Sequence, residues 1–462
     1  MRADEPLWFK LPDQWIDLMK RYGGMGPCGS LDKTFEMIGK AQATLALLER
    51  DYIDADYRDE FANFYAQTFR RLPDRCERLH FFSEDENGRQ YLGYLILRPI
   101  LGRPVCRTML TPPLGANADV SCIAASSSTP YGYAHTARGF PFISQDYQFG
   151  VCSHAALWMV AFYFHLAFSK PRYYLSDIAS AAARHQDLLP SLPSDGLTLR
   201  QIMGVLHDLK MPPISYRIDQ RLPGKERVEE IASRYLNSRL PVLLLKDHHA
   251  SVLIGYGTDE EGLYFVCHDD AKGPYLKVRD LHELRPAEEY VEENGDGPGW
   301  EALLVPVPGR IYLTGEAAEY TARTVFDAEM GKQPSLSGLR DRWQADELRL
   351  RTYAIKLADY KRALRNRNPP PHPDVIAWHT NMSGSNWIWV TELQDRAQAS
   401  KGRTCVVGEV AIDATSDDQW PNPIFGNLPG MTMRWPEIGL DMEWAQSEQD
   451  ASPYASGSAI HV

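Results

Sequence analysis

"LPVLLLKDHHASVLIGYGTDEEGLYFVCHDD" occupies residues 240–270. Its three apolar runs, LPVLLLK, ASVLIGYGT and LYFVCHD, have the length and side chains of strands. DEEG, residues 259–262, lies between the last two and is a hairpin turn signal. Upstream the apolar spacing becomes helical, first in "GVCSHAALWMVAFYFHLAF" (residues 150–168). It continues through "YLSDIASAAARHQD", "SDGLTLRQIMGVLHDL" and "GKERVEEIASRYLNS". Helices followed by an antiparallel sheet define an α+β domain, set here at residues 141–310.

The chain is long enough for further domains on both sides, at 462 residues. Residues 1–140 read as helical, then β-rich. "SLDKTFEMIGKAQATLALLERDYI" (residues 30–53) has a serine cap, early acids and helical apolar spacing. "GRQYLGYLILRPI", "GRPVCRTMLTPP" and "SCIAASSSTPYGYA" are strand and turn material. Residues 311–450 read as a C-terminal α+β domain. It has a charged helix around residues 336–366, the breaker "NPPPHPD", and the strand-like "NWIWVTEL" and "TCVVGEVAIDAT". Residues 451–462, weakly apolar, are expected to be a disordered tail.

The net charge of −12 disfavours nucleic acid as a partner. The basic run at residues 362–367 reads as a solvated helix end. The N-terminus lacks the layout of a secretory signal. The best candidate for a membrane span, residues 155–168, is too short and contains His165. The seven cysteines are scattered without CxxC spacing. They read as reduced thiols of a cytoplasmic protein, with neither a disulfide framework nor a zinc ribbon.

One constellation carries chemistry. Cys152 falls in the first turn of its helix, where the dipole favours thiolate. His248 and His249 stand at the start of one strand of the hairpin, and Asp269 and Asp270 at the end of the next. Folding the hairpin brings His249 opposite Asp269 or Asp270. That supplies the base, and the acid that orients it, which a nucleophilic thiol needs. A one-residue slip of register exchanges the two aspartates, and Asp269 is favoured.

The order Cys, His, Asp resembles the papain-like cysteine peptidases, most closely the bacteriocin-processing, C39-like branch. "HASVLIGY" matches that branch in the spacing from histidine to Gly-Tyr, and "HDDAKG" matches its N-D-P-x-x-G acid segment. The resemblance spans residues 145–275. It implies Cys152 as nucleophile, His249 as base and Asp269 as orienting acid. It also implies an upstream glutamine whose amide helps bind the oxyanion. "FISQD" places Gln145 there, seven residues before Cys152 where the family has six; Gln148, four before, is the alternative. A second departure is "CSHAA", where the family often has Cys-Gly followed by small residues.

The other residues of these types have structural readings. Cys28, in "GGMGPCGSLDKTF", is a rival nucleophile ahead of a helix, but no histidine–acid hairpin follows it at comparable distance and it reads as a turn cysteine. His154 reads as a capping or core residue, and His248 as surface or supporting. The group His248, His249, Cys267, His268 and Asp269 has zinc-ligand types, but neighbours on a strand face opposite ways, so no metal or cofactor is expected. Trp387, Trp389, Trp420 and Trp435 read as core or rim. The expected activity is that of a cysteine peptidase or isopeptidase acting on a peptide or protein amide. A thiol acyltransferase, transglutaminase or deamidase would use the same three groups, and an inactive papain-like scaffold is the remaining alternative. The large flanks imply a narrow substrate, with restraint by a lid or a regulatory protein partner.

Overall fold

A computed structural model describes residues 6–446 apart from 12, 24–28, 70, 87, 114–119, 147–151, 186–196, 218–227, 247–248, 280–301, 368–370, 385, 400–404 and 436–442. The expected tail at 451–462, Cys28, Gln148 and His248 lie outside the described residues. The protein mixes helices with antiparallel sheets, an α+β fold. It divides into two compact units, Met1–Lys225 with Leu240–Pro308, and Glu226–Arg239 with Gly309–Val462. The boundary expected at residues 140 and 141 falls inside the first unit. The one expected at 310 and 311 falls beside the division at Pro308 and Gly309.

The first unit opens with β1 (Leu7–Lys10), α1 (Trp15–Gly23), α2 (Gly29–Lys40), β2 (Leu45–Tyr52) and α3 (Ala55–Asn63). Strands β3 (Cys76–Asp85), β4 (Gly88–Leu97), β5 (Val105–Leu110), β6 (Ala124–Ser128), β7 (His135–Gly139) and β8 (Pro141–Phe142) follow. Six of these strands form one sheet in the order β1-β2-β3-β4-β5-β8, while β6 and β7 form a separate hairpin. Residues 30–53 are thus not one helix, as their composition predicts. The helix stops at Lys40, Gln42 takes a left-handed φ of 59°, and the remainder is a strand. Leu, Ala, Glu and Arg favour helix by propensity. Pairing of Leu47 with Trp8 on one side and His80 on the other overrides that preference.

Three helices come next, α4 (Cys152–Phe168), α5 (Leu175–Arg184) and α6 (Leu199–Asp208). The second sheet is built from β9 (Pro213–Arg217), β10 (Val242–Lys246), β11 (His249–Asp259), β12 (Gly262–Asp269), β13 (Gly273–Val278) and β14 (Ala302–Pro306). Its order is β13-β12-β11-β10-β14-β9. Every residue of α4 from Cys152 to Phe164 is buried, which accounts for a helix apolar on all sides. Its Trp158 indole donates to Asp56 Oδ1 at 3.1 Å.

The two six-stranded sheets of this unit are linked through a side chain of β13. Tyr275, held at a φ of 53°, donates its hydroxyl hydrogen to the Leu110 carbonyl at 2.6 Å and accepts from the Phe140 amide at 3.1 Å. Helix α2 lies against β13 so closely that a Cβ on Gly273, whose φ is +133°, would come within 2.6 Å of Lys33 Cβ. Only glycine suits that position.

The second unit takes α7 (Val228–Asn237) out of the middle of the chain. It adds α8 (Gly315–Lys332), α9 (Ser337–Gln344), β15 (Leu348–Lys356), α10 (Leu357–Arg365), α11 (Pro373–Asn381), β16 (Trp387–Asp395), α12 (Arg396–Ala399), β17 (Val406–Asp413), β18 (Pro423–Leu428), β19 (Met431–Arg434) and β20 (Glu443–Gln446). The strands pair antiparallel in sequence order from β15 to β20. Residues 336–366 are not one charged helix. Asp346 turns the chain at a φ of 56°, and LRLRTYAIK becomes a strand paired along its whole length with β16. Helix α7 belongs here because Arg234 meets Glu316 and Glu319, Tyr235 stacks edge-on against Trp389, and Ser238 Oγ accepts from the Ala354 amide. No helix among the described residues is long and apolar enough to cross a membrane.

Candidate active site

Cys152 is the first residue of α4 and 9% exposed. The amides of a helix's first turn have no intrahelical acceptor, so this end of α4 presents donors and a positive dipole. His249 opens β11, paired with Lys246 at the end of β10. Asp269 closes β12 and is fully buried. Its Oδ1 accepts from the amides of Ala271 and Lys272, both at 3.0 Å, which fixes the carboxylate on the turn that follows.

The other oxygen, Asp269 Oδ2, lies 2.9 Å from His249 Nε2. The His249 side chain is also hydrogen-bonded to Cys152. With Nε2 engaged by the carboxylate, Nδ1 is the nitrogen left for the thiol. Burial works against a charged His249 ring, but the bonds to Asp269 and Cys152 outweigh it, and its pKa is held well above that of an ordinary histidine. Burial likewise pushes the Asp269 carboxyl up, yet the hydrogen bond and charge of His249 hold it below the usual carboxylate range.

His249 and Asp269 do not sit directly opposite one another. Val252 pairs with His268 and Leu253 with Cys267, so continuing that register puts Ser251 opposite Asp269. His249 is two residues further on, on the same face, and reaches Asp269 diagonally. A β-bulge decides which aspartate shares that face. Ile254 is an extra residue between the pairs Leu253–Cys267 and Gly255–Val266. An unbroken ladder from the turn would place Val252 opposite Asp269 and so turn Asp270 to the histidine's face. The bulge is held from outside the hairpin, because the Ile254 carbonyl accepts from the amides of both Ser121 and Cys122 at 3.0 Å. Val120 makes a bridge to Gly255 beside it.

No family model matches the chain, and no curated protein matches it.

Asp270 is fully buried, and neither of its carboxyl oxygens has a hydrogen-bond partner. Burial pushes its pKa up to about 7, against the pull of the His249 charge. The Arg103 charge and the Gln145 backbone amide also favour its charged form. The latter places Gln145, itself buried, next to the aspartate pair. Donor atoms of His249, Asp269 and Asp270 all lie within 4.8 Å of one another, so these three are the described residues placed to hold a cation.

The remaining candidates fall elsewhere. His268 is enclosed by the rings of Phe140, Phe142 and Tyr275, with Nδ1 3.3 Å from the Pro141 carbonyl. Burial lowers its pKa to about 3, which keeps it neutral. Cys267 is buried, with its thiol on the His268 carbonyl at 3.5 Å. His154 is buried two residues beyond Cys152; its Nδ1 has no partner, and burial lowers its pKa to about 4. None of the six described cysteines forms a disulfide. Trp387 and Trp389 are buried in the second unit, and Trp420 is 79% exposed.

Sequence reasoning missed the bulge, its brace at residues 120–122 and the placement of Asp270. Consecutive aspartates in HDDAKG mark that only one of them can share the strand face of His249, but only the bulge says which.

Proposed function

We propose that this protein is a thiol hydrolase of the papain-like, C39-like type, acting on an amide bond of a peptide or protein. The observation that carries it is the imidazole of His249, bonded to Cys152 and held through Nε2 by Asp269 Oδ2 at 2.9 Å. In this scheme His249 takes the Cys152 proton and Asp269 holds the ring in place and stabilises its charge. The thiolate sulfur attacks the amide carbon, and the developing oxyanion meets the Cys152 amide and the Gln145 side chain. His249 returns the proton to the leaving amine as the C–N bond breaks. Water, deprotonated by His249, then attacks the thioester, releases the acid and regenerates the thiol.

The test is the alkylation rate of each cysteine at pH 6, read by mass spectrometry, in the wild type and in His249→Ala. A free thiol of ordinary pKa is only about 0.3% ionised at that pH. Cys152 is expected to react at least about tenfold faster than the other cysteines and to lose that advantage without His249. A Cys152 that reacts like the rest, or a rate unchanged in His249→Ala, overturns the assignment.

A further inference from the structure

Gln145 stands seven residues ahead of Cys152, a span too long for the chain alone to fix the distance from its side-chain amide to the sulfur. Groups from elsewhere hold the residues on both sides of it. The Ser144 amide and hydroxyl both donate to the Val105 carbonyl, at 3.2 and 2.8 Å. Arg98, bonded to Glu60, donates to the Ser144 carbonyl at 2.6 Å. On the other side, the Tyr65 hydroxyl donates to Asp146 Oδ2. Tyr65 opens the short turn that follows α3, Tyr65–Gln67, and both it and Asp146 are buried. Burial and the Asp146 charge push the Tyr65 pKa up, so the phenol keeps its proton and remains the donor.

Buried charges of this kind are weak stabilisers, because desolvation offsets their attraction. Their other effect is to rigidify what they bind. The segment they clamp, residues 144–146, faces the thiol site at two points. The Gln145 backbone amide favours the charged form of Asp270, which has a donor atom within 4.8 Å of one on His249. The Asp146 charge acts on His154, two residues beyond Cys152 on α4.

We propose that Tyr65 is a positioning residue for the oxyanion site: through Asp146 it holds the Gln145 side-chain amide where the carbonyl oxygen gains its charge as Cys152 attacks. The inference rests on the thiol hydrolase reading above. Tyr65 itself does not touch the reacting atoms. Its ring stands edge-on to Phe64 and beside Tyr57, so Tyr65→Phe removes the hydroxyl and keeps that packing. Without the hydroxyl, Asp146 loses its tie to the turn after α3, and Gln145 is no longer fixed from that side.

The experiment compares two reactions of Cys152 in the full chain. Iodoacetamide is attacked at a saturated carbon and loses iodide, so its rate, read by mass spectrometry, reports the thiolate alone. p-Nitrophenyl acetate is attacked at its carbonyl carbon. A tetrahedral oxyanion forms, p-nitrophenolate leaves, and the acetyl group stays on sulfur as a thioester. Initial p-nitrophenolate release, less that of Cys152→Ser, therefore reports the oxyanion site as well. Tyr65→Phe should leave alkylation unchanged and slow acetylation by about tenfold or more. Asp146→Ala, which removes the acceptor instead of the donor, should do the same. Gln145→Ala should slow acetylation at least as much. Adding Tyr65→Phe to it should slow acetylation no further, because Tyr65 acts through Gln145. An unchanged ratio of the two rates in Tyr65→Phe overturns the inference, as do both rates falling together in Tyr65→Phe and in Asp146→Ala. Acetylation that Gln145→Ala leaves unmoved, or losses in Tyr65→Phe and Gln145→Ala that add in full, overturn it too. Wild-type alkylation separates the two claims. A Cys152 that alkylates like the other cysteines overturns the thiol hydrolase, while a fast Cys152 with an unmoved ratio overturns only the role of Tyr65.

Discussion

At the scale of single residues, His249 is the centre of the site, and Asp269 sets its charge. The two groups raise and lower each other's pKa in the sense of an imidazolium–carboxylate pair. In the proposed scheme the charged ring stabilises the attacking sulfur, so activity should persist as pH rises until His249 loses its proton, above the ordinary histidine range. Asp269→Asn keeps a hydrogen-bonding side chain but removes the charge that favours protonation. The alkaline limb of the pH–rate profile should therefore move to lower pH, with a loss of about tenfold in kcat/KM for each pKa unit of the shift. An unmoved limb would mean that Asp269 acts only as a geometric prop. The residue types were legible in the sequence, because a thiol at a helix start and a His–Asp hairpin are local features. The choice between Asp269 and Asp270 was not, because it depends on one extra residue in a ladder.

Among the elements, β11 shows how that choice is made. Two amides on the Ile254 carbonyl stabilise the bulge, and proline at either donor position would remove one of them. Ser121→Pro should cost about 1–3 kcal/mol in stability and slow Cys152 alkylation as the hairpin loses its fixed register. Deleting Ile254 in the same chain should restore the rate. Without the extra residue, Leu253 and Gly255 still meet Cys267 and Val266, and the ladder continues in the same register. If the deletion gives no rescue, the bulge does not set the acid. Elements also show where pattern reading reached its limit. The strands of residues 240–270 and the helix α4 are strongly patterned and were legible. Strands β2 and β15 are made of good helix formers, and their state is fixed by partners about 30 to 45 residues away.

For the molecule as a whole, the first unit carries every residue of the proposed site, and its interior holds charges as well as apolar side chains. Arg98 and Glu60 are both almost fully buried, joined by two contacts at 2.8 Å, and Arg98 also donates to the Ser144 carbonyl at 2.6 Å, next to Gln145. Arg98→Met would strand the Glu60 carboxyl and should lower stability by about 3–5 kcal/mol. A thermal melt that stays within about 2–4 °C of wild type would contradict this, since that is roughly 1 kcal/mol for a body of this size. The second unit was legible in its strands but not in its extent, because α7 comes from residues that precede the hairpin of the first. A fragment beginning at residue 311 lacks the partners of Glu316, Glu319 and Trp389.

The path of α7 bears on how the protein is made. On a ribosome the helix emerges long before its seat exists. Arg234 precedes Glu316 by 82 residues, and Ala354 follows Ser238 by 116. At about 5–20 residues per second, synthesis of the longer interval takes roughly 6–23 s. For that time Ile231, Ala232, Tyr235 and Leu236, all buried in the finished unit, form an apolar stripe without its partner. The nascent chain therefore passes through a stage in which the hairpin can close while α7 waits, and that stage is where a chaperone would find it.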